Sequence, residues 1–91
     1  MMADINKQTY KHQLVDEILW NDWDPIRVNN VPEARDEYRS YVSKIVAFKT
    51  AGAQCETIAQ YLFQIETDQM GLNGNLENCR RVSQIIISLV V

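Results

Sequence analysis

The side chains that could do chemistry in this sequence are few, and their spacing assembles no catalytic set. The single histidine, His12, stands between Lys11 and Gln13. With Asp16 it makes an i, i+4 pair on a predicted helix, a spacing at which two ligands can touch one metal ion. A stable site needs three or four ligands, and no second pair accompanies this one, so neither a metal nor any other cofactor is expected. Cys55 and Cys79 form no Cys-x-x-Cys pair, and each falls on the apolar face of a predicted helix. They are expected to be buried, reduced thiols of a cytoplasmic protein, and nothing in the local spacing prepares a Cys–His nucleophile. Carboxylate pairs occur at Asp22 and Asp24 and at Asp36 and Glu37, but nothing marks either as buried acid–base machinery. Gly52, Gly71 and Gly74 fall at helix ends rather than in a phosphate-cradling loop. The chain is therefore expected not to be an enzyme.

Recognition chemistry is better represented. Trp20 and Trp23, the chain's two tryptophans, lie within four residues, and Trp23 belongs to the segment Asp22-Trp23-Asp24-Pro25-Ile26. One reading has Trp23 and Ile26 plug an end of the fold. The other keeps an indole exposed as a binding anchor, because Trp, Tyr and Arg dominate interface hot spots. Charge is uneven along the chain. Residues 1–40 carry eight acids against five bases, whereas residues 41–91 carry four of each, so the whole net charge of −3 sits in the first part. One account is a solvated face with carboxylates near helix starts. The sharper account is an acidic patch edged by Trp23, Tyr38 and Tyr41 that receives a basic partner protein. On that account Asp22, Asp24, Glu33, Asp36, Glu37 and Tyr38 are the partner-binding residues. A general nucleic-acid binder would carry a basic excess, which this chain lacks, so no nucleic-acid partner is expected.

The elements that must position these residues follow from periodicity. At 91 residues, 46% hydrophobic and 23% charged, the chain has the composition of one globular domain. Such a chain buries roughly 60–65% of its unfolded surface, enough for one thin core. Three glycines and two prolines are too few for the turns of an all-β fold. Tyr10, Leu14 and Ile18, widened by Val15 and Leu19, predict a first helix from Asp4, its N-cap, to Asn21. Pro25 ends it, and residues 22–31 make a connector. Pro32 suits the first position of a second helix reaching Thr50, with Tyr38, Tyr41, Val42 and Ile45 on its apolar face and Gly52 closing it. Ile58, Tyr61, Leu62 and Ile65 predict a third helix over 54–70, followed by Gly71. Asn73-Gly74 could turn a hairpin, but its flanks do not alternate, so Asn75 is read as the N-cap of a last helix over 76–89. Ile85-Ile86-Ile87 is the one place where a strand competes. The run Ile85–Val91 is far short of a membrane span. It is expected to be buried on several sides or to form a subunit contact. No secretory signal pattern opens the chain, and no membrane partner is expected. The expected fold is all-α, a mainly antiparallel four-helix bundle in residues 1–91 with a longer loop between helices 1 and 2.

Trp23-Asp24-Pro25-Ile26, Asp36-Glu37-Tyr38 with Tyr41-Val42, Gly52-Ala53, Ile65-Glu66-Thr67 and Met70-Gly71-Leu72 form a combination. It resembles a family of small uncharacterised bacterial all-helical proteins with a Trp-Asp-Pro-Ile motif near the end of the first helix. The resemblance runs from Leu14 to Val82 and implies a helical cytoplasmic domain. Such proteins also look like immunity proteins encoded beside polymorphic or contact-dependent toxins. That likeness implies a function, neutralising a cognate toxin by occlusion, without assigning site residues. The alternative reading is a small helical regulator or adaptor, a homodimer joined through its last helix.

Overall fold

The first helix, α1 (Met2–Ile18), brings Val15 and Ile18 inward, followed by Leu19. The computed structural model describes the backbone of residues 2–91 and the side chains of residues 9–91, and the expected cap at Asp4 lies outside those side chains. Tyr10 was expected on the core stripe but is 54% exposed, because the helix turns its Val15 face inward instead. After Ile18 the helix widens into a single π turn, Leu19–Trp23, closed by the Asp24 N–H donating to the Leu19 carbonyl at 3.0 Å. The widening rotates both Trp20 and Trp23 into the core. Asp24 then takes φ 33°, in the left-handed region, where a short polar side chain that bonds nearby backbone is tolerated. Pro25 follows and the chain cannot continue as helix.

The second predicted helix forms only in its last half. Pro32–Ala34 and Arg39–Tyr41 are single 3₁₀ turns with tight turns between them, and α2 covers Val42–Thr50. The correction has a tertiary cause. Tyr38 must turn inward to reach Asp24, and its φ of −101° with ψ 2° breaks the helical path. Pro32 does open its turn at the first position, as expected. At the far end Gly52 (φ 78°) closes α2. Its N–H donates to the Lys49 carbonyl, and the Ala53 N–H donates to that of Phe48, the paired bonds of a Schellman cap.

Helix α3 (Cys55–Gln64) buries Ile58, Ala59 and Leu62, then widens into a second π turn, Ile65–Gln69. The link to α4 (Leu76–Ser88) is short and closely packed. A Cβ on Gly74 (φ 86°) would collide with the Phe63 ring and lie 2.9 Å from Thr67 Cγ2. Asn75 caps α4 by accepting from the Asn78 N–H at 3.0 Å, as its position predicts. α4 buries Cys79, Val82, Ser83 and Ile86, and the three isoleucines at 85–87 are helical. The buried Ser83 hydroxyl donates back to the Cys79 carbonyl at 2.7 Å, so it carries no unpaired group.

Cross-element bonds fix the helix directions. Lys49 Nζ, at the end of α2, donates to the carbonyls of Ile87 and Leu89, so α2 and α4 finish together. Asp16, late in α1, lies 3.9 Å from Arg39 just ahead of α2, so α1 and α2 run opposite ways. α3 and α4 share the largest interface and are clamped by Arg80 pairing Glu56 through two hydrogen bonds of 3.0 Å each. The result is the expected all-α four-helix bundle, and the described residues contain no strand. None of the described helices is long and apolar enough to cross a membrane. One end of the bundle gathers the two π turns, the start of α4 and the segment leading into α2.

Candidate partner-binding surface and the carboxylate node behind it

The six acidic-patch residues separate into three groups. Asp24 and Tyr38 face inward. Asp24 Oδ1 accepts from the Val28 N–H at 2.8 Å and from the Tyr38 hydroxyl at 2.7 Å, and Oδ2 accepts from the Asn29 N–H at 3.2 Å. Tyr38 is 1% exposed, so it is not the rim residue the sequence suggested. Its ring packs 5.2 Å from that of Trp23 and its hydroxyl holds the loop. Asp22 is half-buried and lies 3.8 Å from Arg81, whose guanidinium also donates to the Asp22 carbonyl at 2.8 Å. Glu33, Asp36 and Glu37 are exposed, and among the described residues none of them makes an ion pair.

Those three carboxylates stay unneutralised because the neighbouring cations point elsewhere. Arg35 lies 3.1 Å from Asp16 and stacks 5.1 Å over the Trp20 ring, and Arg39 also reaches toward Asp16. Glu33, Asp36 and Glu37 therefore form a small acidic face on a segment anchored from below by Tyr38 and Arg35. Neither indole serves as an exposed anchor. Trp20 and Trp23 are 9% and 3% exposed, and they fill the end of the bundle together with the half-buried Ile26.

Behind the loop lies a feature that sequence reasoning missed. Glu66 is only 3% exposed. Its Oε1 accepts from the Asn75 N–H at 2.7 Å, and its Oε2 accepts from Trp23 Nε1 at 2.8 Å and from the Cys79 thiol at 3.2 Å. The node joins the end of α1, the end of α3 and the start of α4 through one side chain, and among the described residues no cation is a partner. A signal was present. Glu66 stands four residues after Leu62 and eight after Ile58, on the apolar line of the third helix, where an acid must find donors. Glu66, Trp23, Asp24, Arg27 and Asn75 also line a cleft of about 430 Å³ at this end of the bundle.

The thiols differ in setting. Cys79 is fully buried beside Glu66, and burial followed by that carboxylate pushes its pKa up to about 12. Cys55 was expected to be buried but is half-exposed, with its thiol 3.7 Å from the Arg80 carbonyl. His12 and Asp16 flank a shallow cavity, and the described residues contain no group of three ligands suited to a metal.

Tyr38 is likewise held protonated, by burial first and by its bond to Asp24 second. Both shifts make the folded state retain a proton that the unfolded chain releases. Their contribution is complete below the ordinary values of 9.0 for cysteine and 10.0 for tyrosine, and it is lost as pH rises through the folded values. Urea midpoints are expected to be flat through neutral pH and to fall steeply above about pH 9. Tyr38→Phe should make that fall shallower.

Comparison with known proteins gives no match to a family model, to a curated protein or to a solved structure.

Proposed function

We propose that this chain is a non-enzymatic protein-binding protein, most concretely a bacterial cytoplasmic immunity protein that neutralises a cognate toxin by covering its active or substrate-binding surface. The observation that carries the reading is the acidic face of Glu33, Asp36 and Glu37. It is exposed, makes no ion pair among the described residues and sits on a segment tied to the core through Tyr38 and Arg35. A rigid acidic face steers onto a basic cleft and loses little ordering entropy on docking. Toxins that act on nucleic acid present such clefts. Asp22 lies at the edge of the contact, and Asp24 and Tyr38 position it from within. The Trp-Asp-Pro-Ile motif supports the reading in the same way, since its residues build the loop that holds this face.

The product of the reading frame immediately upstream is the partner to test. Expressed alone it should arrest growth, and co-expression of this chain should restore it. Reversing all three charges (Glu33→Lys, Asp36→Lys, Glu37→Lys) should slow association by about 10–100-fold at low salt and flatten its salt dependence, with a smaller change in dissociation. Unchanged association by the folded triple variant would remove this face from the contact. The homodimer reading draws on the exposed Tyr10, Val90 and Val91 around the end of α4. A monomer in light scattering at micromolar concentration would remove it.

A further inference from the structure

The turn between α3 and α4 contains Asn73-Gly74, a pair that the proposed contact does not use. Asn73 is exposed and lies outside any helix. Among the described residues the Gly74 N–H donates to no acceptor, and glycine places no side chain beside that nitrogen. Other asparagines lack this combination. The amide after Asn30 belongs to β-branched Val31 and donates to the Val28 carbonyl, and the amide after Asn78 donates to the Asn75 carbonyl. Asn6, Asn21, Asn29 and Asn75 are each followed by a residue with a side chain.

We propose that Asn73-Gly74 is a site of spontaneous covalent modification, converting Asn73 to aspartate and isoaspartate, and that the isoaspartyl product releases the Glu66 node. Hydroxide removes the Gly74 amide proton, and the nitrogen attacks Asn73 Cγ. The N–Cγ bond forms, the Cγ–Nδ2 bond breaks, and ammonia leaves after taking a proton from water. Water then opens the cyclic imide. Attack at Cγ returns a normal aspartate. Attack at the main-chain carbonyl routes the backbone through Cγ and leaves a free α-carboxylate. Nothing is oxidised or reduced. The second product adds one carbon, about 1.5 Å, to the main chain. The turn cannot absorb it, because Gly74 is packed against Phe63 and Thr67 and the next amide, Asn75 N–H, is 2.7 Å from Glu66 Oε1. Losing that bond loosens the carboxylate that also holds Trp23.

The test incubates the full-length protein in warm, mildly alkaline buffer and follows its peptides by mass spectrometry. A gain of about 1 Da should appear in the peptide carrying Asn73, split between two isomers. Its rate should exceed that at any other asparagine by roughly tenfold or more. The isoaspartyl fraction, separated and refolded, should show red-shifted tryptophan emission. Asn73→Gln should abolish the modification and keep native emission. Persistence of Asn73 while other asparagines react would overturn the site. An isoaspartyl form with native emission would overturn the link to Glu66.

Discussion

Glu66→Gln is expected to destabilise the protein by about 2–4 kcal/mol, although the two side chains are nearly the same size. Both oxygens of Glu66 receive donors: the Asn75 amide on one, and the Trp23 indole and Cys79 thiol on the other. A glutamine presents an NH₂ to one of those groups, and whichever way it turns, a buried N–H faces another donor. Solvent relieves little of the conflict, because Glu66 and Trp23, although they line the cleft, are each only 3% exposed. Against a total stability of about 5–14 kcal/mol for a chain of this length, the loss is large. Urea unfolding should show the midpoint fall with an unchanged slope, and Tm should drop by about 10 °C or more. Trp23→Phe removes one donor from the same node, so its cost combined with Glu66→Gln should be less than the sum of the two. A Glu66→Gln loss below about 0.5 kcal/mol, the range of ordinary surface substitutions, would show that the node is not a stabilising one.

Asp24→Ala is expected to cost about 3 kcal/mol and to unmoor the acidic face. Three donors lose their acceptor: the Val28 and Asn29 amides and the Tyr38 hydroxyl. The hydroxyl matters most, since its ring is buried between Trp20 and Trp23. Alanine at φ 33° adds backbone strain that aspartate tolerates better. Tyr38→Phe should cost only about 1 kcal/mol, because Asp24 keeps its two backbone donors and stays near water. Hydrogen exchange separates the two variants. Asp24→Ala should speed exchange selectively at residues 26–41 while α3 and α4 stay protected, and Tyr38→Phe should leave most of that protection in place. Uniform acceleration across the chain would mean that Asp24 acts on global stability and not on this segment.

The core stripes of α2 and α3 were readable because each helix repeats apolar residues at three- and four-residue spacing. Asn75 and Gly52 were readable because capping is local: a side-chain oxygen three residues ahead of an amide, or a residue free to take positive φ. Local rules failed where a distant partner decides the conformation. Pro32 and the acids after it read as a helix start, yet Tyr38 leaves the helical path to reach a carboxylate fourteen residues earlier. Tyr10 has the right spacing for the core, but spacing cannot choose between two neighbouring faces of α1. The exposed acidic face was half legible. Sequence finds the acids, and only the pairing of Asp16 with Arg35 shows which of them remain free.

By itself the sequence determined an all-α bundle, the helix ends marked by Pro25, Gly52 and Asn75, and an acidic first half, because helical period, capping and charge are properties of neighbours along the chain. The tertiary structure alone decided that both tryptophans are interior, that Asp24 and Tyr38 hold the acidic face rather than form it, and that Glu66 is the buried joint of three elements. Each of those outcomes depends on a hydrogen bond or ring contact between residues far apart in the chain, and such a partner leaves no periodic trace.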